Sequence, residues 1–409
     1  MAASDRPGDL RSLLNDRPYS RWLGAQFSSN LGYSAWSISV LWLAYRISGS
    51  LLLSALVLFV QYGIYSLTFI AGPFADRSRD KRTIFLVVFP LQAITAAIVG
   101  VAVASGSLSE AGLLGAVAVM AVLDDFWWTS GNTVPRILVG KENLLPANGI
   151  QAAFVGVGSL VGYAAGAVLL SIVGPQGGAF LRAAALAVSA ALLVPIAIPS
   201  VTAGVRALGR SLVEGWSILW RGSGRTLLKV AALFAAWGFF VGAPALLITL
   251  FANREFGGSS FDYGLLFTTY MVGVIASGLA VGRANPRRHL GAFLSAAMVA
   301  QGSMVALAVV SLPWLIPGAG IWFLVGLASG IPSTLVYAYF QAVAPPDAVG
   351  RMVANLEMFP SATSAVGAVV LGLAAIALAP ATLGYAIGVG LVAVGLVAFT
   401  VPTVRRMGF

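Results

Sequence analysis

Two aspartates stand side by side in an otherwise apolar run, AVLDDFWWTSGN, as Asp124 and Asp125. An ionisable side chain at bilayer depth is costly, so it marks a functional candidate by default. The pair lies about ten residues from the next basic residue, Arg136, which is roughly 15 Å at the rise of an α-helix. Helical neighbours point about 100° apart, so one of the two is expected to face inward squarely. Burial and a like-charged neighbour both favour the neutral form of a carboxyl, which is the condition for trading a proton. The alternative is that one carboxylate caps a broken turn or pairs with an arginine. Glu357, in ANLEMFPSAT, is about six residues from Arg351 and therefore shallower. It reads either as a second protonation site or as a partner of the basic loops on that side. Arg182, in GGAFLRAAALA, sits one to two turns inside its own apolar stretch. The favoured reading is that it snorkels to the outer interface; the other is a buried counter-charge for Asp124 or Asp125.

Polar and aromatic residues punctuate several apolar stretches. The first carries Gln26, Ser29, Asn30, Tyr33 and Trp36, and the fourth adds Trp127 and Trp128. The seventh has Trp237, and the tenth has Ser333, Thr334, Tyr337, Tyr339 and Gln341. Acidic and aromatic groups together suit a cationic or amphipathic ligand through charge pairing and cation–π contact. Each of these residues also has a plainer reading. Trp and Tyr anchor helices at membrane interfaces, and Ser and Thr hydroxyls join helices to one another.

The elements that must position these residues are long and apolar. Of the 409 residues 59% are hydrophobic and 9% charged, with a mean hydropathy of +0.91. Soluble domains carry about 25% charged residues. The apolar stretches run at 22–45, 52–74, 83–105, 111–134, 148–173, 177–199, 227–251, 261–282, 289–311, 314–341, 350–376 and 381–404. Each is close to the roughly 20 residues that cross a bilayer as a helix. Twelve spans predict an all-α integral membrane protein. Of the 24 Lys and Arg, all but Arg46, Arg182 and Arg254 fall on one side of this alternation. By the positive-inside rule that side is cytoplasmic, and it includes both termini. The same rule accounts for the net charge of +10 without invoking nucleic acid. The chain has no cysteine and one histidine, His289, so thiol chemistry is excluded and no metal site is expected. No glycine loop next to a lysine cradles a phosphate, and no cofactor is called for. The longest polar connection, 200–226, has an amphipathic pattern that fits a helix on the membrane surface. It divides the chain into a bundle at 1–199 and a second at 227–409. The two halves share weak echoes, GPFADR with GLAVGR and an Ala-Asn pair opening the fifth and eleventh spans.

Between the second and third stretches lies GPFADRSRDKR. It resembles the signature loop of the Major Facilitator Superfamily, Gly-x-Leu-Ala-Asp-Arg followed by basic residues. The matches are Gly72, Ala75, Asp76, Arg77, Lys81 and Arg82, with Phe74 for the leucine. Arg79 and Asp80 depart from the usual order, and Asp80 stands where a basic contact is expected. PRILVGKENLLPANGI, LVEGWSILWRGSGRTLLK and GRMVANLEM are similar to segments of the macrolide and siderophore exporter branch. Gly158, Gly162 and Gly166 resemble the glycine-rich fifth helix of the antiporters, without its Gly-Pro element. The resemblance implies two six-helix bundles around a central cavity that opens alternately to each side. It assigns Gly72, Asp76, Arg77, Lys81, Arg82 and Arg351 to a conformational gate. Asp124, Asp125 and Glu357 become candidates for proton coupling. Asn30, Tyr33, Trp36, Trp127, Trp128, Trp237, Tyr337 and Gln341 become candidates for the cavity wall.

The resulting expectation is a monomeric secondary transporter of the cell membrane, exchanging protons for small amphipathic compounds. A specific metabolite or siderophore exporter and an uncoupled facilitator are the alternatives within the class. An intramembrane aspartyl enzyme is disfavoured, because it needs two converging carboxyls and helical neighbours diverge. A membrane receptor or scaffold would have no need of buried acids in the fourth stretch.

Overall fold

The computed structural model describes residues 10–68, 80–131, 134–139, 143–199, 224–284, 289–312, 314–343, 349–405 and 407. Among them every regular element is a helix. In chain order these are α1 Leu10–Asn15, α2 Arg17–Ser48, α3 Leu51–Tyr65, α4 Lys81–Ala104, α5 Glu110–Gly131, α6 Val134–Val139, α7 Leu144–Ile172 and α8 Pro175–Leu193. There follow α9 Gly224–Gly238, α10 Ala243–Arg254, α11 Ser260–Ala284, α12 Leu290–Val310, α13 Leu315–Val343, α14 Val349–Ala377, α15 Pro380–Thr400 and α16 Pro402–Arg405. Each of the twelve apolar stretches thus contains helix among its described residues. Nine of the described helical segments are long and apolar enough to cross a membrane. The amphipathic segment expected at 200–226 lies outside the described residues up to position 223.

One stretch departs from expectation. The seventh is not a single helix but α9 and α10, interrupted at 239–242. The sequence there is GFFVGAP. Gly242 precedes Pro244, whose ring has no N–H and fits the first turn of a new helix. Pro332, by contrast, is carried inside the continuous α13.

The chain forms two compact units. The first comprises residues 1–40 and 70–206, and the second residues 41–69 and 207–409. α3, second among the apolar stretches, therefore packs with the later part of the chain, where Gly372 of α14 closes on Ala55. Within the second unit, α11 pairs closely with α13 and α12 with α15. Glycines make these approaches possible. Gly302 and Gly388 meet backbone to backbone between α12 and α15, and Gly326 of α13 meets the Tyr270 carbonyl of α11.

The first unit is built the same way. A Cβ at Gly158 would sit 2.6 Å from the Phe27 carbonyl oxygen, and one at Gly166 2.8 Å from the Ala35 Cα. Gly162, between them, faces the Leu31 backbone more closely still. The glycine series of α7 is therefore a seam against α2, where van der Waals packing replaces the hydrophobic drive that lipid removes. At the other end, Asp80 is the N-cap of α4 and accepts the Arg82 N–H at 2.9 Å. The Lys81 N–H donates to the Ile198 carbonyl at 3.0 Å, tying the start of α4 to the chain after α8.

A paired substitution tests the seam. Gly162→Ala should lower the thermal midpoint of the purified protein, because overpacking costs about 1–3 kcal/mol. Gly115→Ala on α5, where nothing lies within 4 Å, should leave it unchanged or raise it, since alanine is the better helix former by about 1 kcal/mol. Equal midpoints for the two variants would remove the seam.

Candidate functional site

In the first unit, α8 brings Arg182 against α2. Gly32 makes room: a Cβ there would lie 3.1 Å from the Arg182 Cα and 3.3 Å from its Cδ. Hydroxyls then lock the two helices together. Ser28 Oγ donates to the Ala185 carbonyl at 2.8 Å and Ser189 Oγ to the Ala25 carbonyl at 3.0 Å. Held this way, the Arg182 guanidinium points into the unit. Its Nη2 donates to Asp124 Oδ1 at 2.6 Å, and its Nη1 to the Ser29 carbonyl at 3.4 Å. Its Cζ lies 5.3 Å from the centre of the Tyr33 ring. Gln92 of α4 completes the cluster, with Nε2 donating to the same Asp124 Oδ1 at 2.7 Å.

The snorkelling expectation for Arg182 is therefore overturned. The residue is 1% exposed, and its counter-charge is Asp124. Snorkelling requires a free path to the aqueous edge, and the close approach of α2 closes that path. The two charges neutralise each other in a place where either alone would be expensive. Asp125 is also buried, so both aspartates are taken out of contact with solvent.

The second unit holds a separate cluster. The Tyr337 hydroxyl of α13 donates to Glu357 Oε1 of α14 at 2.9 Å. The Tyr337 ring stands edge-on to Phe234 of α9 with centroids 6.2 Å apart. Phe234 in turn stacks on Trp237 at 5.1 Å and 11°. The Trp237 indole N–H donates to Gln301 Oε1 of α12 at 2.8 Å. Four helices thus converge on one carboxylate and a file of aromatic rings. Among the described residues the Tyr337 hydroxyl is the polar partner of Glu357, so its charge is met by a neutral donor.

The other expected residues separate by position. Asn30 is buried and turned back on its own helix, donating to the Gln26 carbonyl at 2.8 Å. Trp36 is buried. Trp127 is buried against Phe89, at 6.3 Å between centroids, and its indole nitrogen has no hydrogen-bond partner among the described residues. Trp128 touches Trp127 edge-on but is 47% exposed, so it stands outside this buried group. Gln341 and Arg351 lie in α13 and α14, with only their backbones described. Gly72, Asp76 and Arg77 lie outside the described residues. Lys81 is buried at the start of α4. Arg82 Nε lies 3.4 Å from Asp80 Oδ2, and its Nη1 donates to the Val194 carbonyl at 3.2 Å. Asp80, out of place for the signature loop, is thus a helix cap that also holds Arg82.

Gln92, Gln301, Phe234 and Gly32 escaped the sequence reading. The two glutamines had a signal, since each is an amide in the middle of a long apolar run, where it must find a partner on another helix. Phe234 and Gly32 had none, because their roles depend on what faces them.

Removing one partner of a buried ion pair costs about 3–5 kcal/mol by leaving a lone charge. Asp124→Asn and Arg182→Gln should therefore each lower the thermal midpoint sharply. The double variant should recover a large part of the loss. Additive losses would show that the pairing contributes nothing to stability.

No curated protein sequence matches this chain. Its fold is similar to that of a POT family transporter crystallised with 5-aminolevulinic acid, at a TM-score of 0.74 and 11% identity, covering 94% of this chain and 96% of that one. The nucleoside transporter NupG gives 0.70 and 12%, over 93% and 98%. Tetrameric PepTSo2 gives 0.71 and 12%, over 94% and 97%. At these identities the likeness is one of fold alone. The sequence itself matches the family model of the Major Facilitator Superfamily over residues 22–354. The chain belongs to the Major Facilitator Superfamily and is a multi-pass membrane transporter, not an enzyme.

Proposed function

We propose that this transporter exports small amphipathic compounds in exchange for protons, by alternating access in the cell membrane. The observation that carries the reading is Glu357. It is a carboxylate within an apolar helix of spanning length, it has a neutral hydroxyl for a partner, and it ends a file of three aromatic rings. A carboxylate met by a neutral donor is free to exchange its charge for a proton or for a cationic ligand. Aromatic faces add attraction for such a ligand. The proposed cycle alternates the two: a proton on Glu357 returns the carrier, and a substrate cation or amphiphile displaces it.

Asp124 fits this role less well than the sequence alone had it. Its charge is already matched by Arg182 inside the same unit. In our reading Asp124 holds the first unit together, with Asp125 left as the second candidate for coupling. The outward direction rests on the likeness of the loops before α7, α9 and α14 to the exporter branch. The charge alternation supports two cytoplasmic termini, and we take the working unit to be a monomer with six spans on each side of the 200–226 linker. Gly72, Asp76, Arg77, Lys81, Arg82 and Arg351 remain proposed for the gate. An uncoupled facilitator is the second reading; the Asp124–Arg182 pair favours it, because it takes one carboxyl out of play.

Uptake of labelled cationic and neutral amphiphiles into proteoliposomes separates these readings. An acid interior should drive accumulation by the wild type, whereas a symporter would need an acid exterior. Glu357→Gln should abolish accumulation and retain exchange of substrate for substrate. Asp124→Asn with Arg182→Gln should keep a gradient-driven signal. Transport that ignores the pH gradient would leave a facilitator, and a gradient-driven signal that survives Glu357→Gln would move coupling to another carboxyl.

A further inference from the structure

Gln301 is a buried amide in the middle of the apolar helix α12. Its Oε1 accepts the Trp237 indole N–H at 2.8 Å. An amide in such a place is costly unless it is bonded. An indole has one N–H to donate and nothing with which to accept, so this bond fixes which way the Trp237 ring faces. The footing of Gln301 is itself fixed. At the next residue, Gly302, a Cβ would come 2.5 Å from the Gly388 carbonyl oxygen and 2.7 Å from the Val392 nitrogen of α15. Gly395 of α15 repeats the contact, where a Cβ would lie 2.8 Å from the Val299 nitrogen. Sliding or rolling α12 on α15 would drive backbone into backbone.

From Gln301 the order passes along rings. Trp237 lies parallel to Phe234, one turn away on α9, at 5.1 Å and 11°. Phe234 meets the Tyr337 ring at 88°. Stacked and edge-on pairs are the arrangements that the ring quadrupoles favour. Each ring therefore constrains the tilt of the next. The Tyr337 hydroxyl stands at the far end of its ring, so a tilt of the ring carries the oxygen with it. That oxygen is 2.9 Å from Glu357 Oε1, and a hydrogen bond weakens steeply as it leaves its line. Trp237 and Phe234 are buried, whereas Tyr337 and Glu357 are half-buried. The file thus has an anchored end at Gln301 and an accessible end at the carboxylate.

We propose that Gln301 is a positioning residue for Glu357. By holding the Trp237 indole it sets the ring file, and the file sets the Tyr337 hydroxyl on the carboxylate. That Glu357 carries the exchange rests on the transport reading above; the alignment itself does not.

The test uses Gln301→Leu, Trp237→Phe and the two together in the full-length protein. Gln301→Leu strands the indole N–H, and Trp237→Phe strands the amide oxygen. The double variant leaves neither group unpaired, so it should fold with a thermal midpoint near that of the wild type. In nanodiscs the infrared band that Glu357→Gln removes reports the carboxyl group. Tyr337→Phe should shift that band by removing its donor. Gln301→Leu and the double variant should shift it in the same direction. Gln301→Leu should add nothing further once Trp237→Phe is present. In proteoliposomes, gradient-driven accumulation by Gln301→Leu should fall about fivefold relative to substrate exchange, the equivalent of one net hydrogen bond of about 1 kcal/mol. A wild-type band in the double variant overturns the proposal. So does an effect of Gln301→Leu that persists undiminished in the Trp237→Phe background. A shifted band with an unaltered ratio of accumulation to exchange makes Gln301 purely structural and overturns its positioning role. If no compound is transported by the wild type, the export reading fails, and the band still decides the alignment.

Discussion

A bilayer interior offers a backbone amide nothing to bond with, and the structure follows from that constraint. Every regular element among the described residues is a helix, because a helix pairs its own N–H and C=O groups as it forms. The places where this self-sufficiency ends are the places where side chains intervene. Asp80 caps the first free amides of α4, and Arg82 takes the Val194 carbonyl just past α8. Thr363 and Ser364 take the carbonyls at the end of α9. In each case a polar side chain makes a bond that water would make in a soluble protein.

The same environment removes the hydrophobic attraction between helices and leaves packing and polar contacts to join them. Packing is served by glycine. α7 meets α2 along Gly158, Gly162 and Gly166, and α12 meets α15 at Gly302 and Gly388. Polar contacts are served by the two clusters, which differ in kind. Asp124 and Arg182 form an internally neutral pair whose components come from two helices, with Gln92 from a third. Neither can leave without stranding the other. Glu357 has a phenol for company and sits at the end of a ring stack. A pair that is complete in itself stabilises; a carboxylate with a neutral donor is open to exchange. That contrast is why we propose Glu357, rather than Asp124, for the transport chemistry.

Arg182 shows how the two levels of information meet. Its sequence context, a lone arginine one or two turns into an apolar stretch, fits an interface residue. What changes its meaning is Gly32, 150 positions earlier in the chain, which lets α8 close on α2. The interrupted span is a second case. GFFVGAP has the glycines and the proline of a helix break, but those residues are common in membrane helices. The Thr363 and Ser364 hydroxyls that reach the end of α9 belong to α14.

The sequence alone determined the class, the twelve apolar stretches, the even alternation of basic residues and the family. Those properties are one-dimensional: length and charge along the chain, measured against a slab of fixed thickness. It also singled out Asp124 and Glu357, because a charge in an apolar run is conspicuous wherever the chain later carries it. Only the tertiary structure decided that Asp124 is answered by Arg182, that Glu357 meets Tyr337, and that α3 packs with the later half of the chain. Partners are chosen by which helix faces approach closely enough to touch. In this protein that is set by glycines and hydroxyls on one helix acting on another, and no reading of a single stretch contains both sides of such a contact.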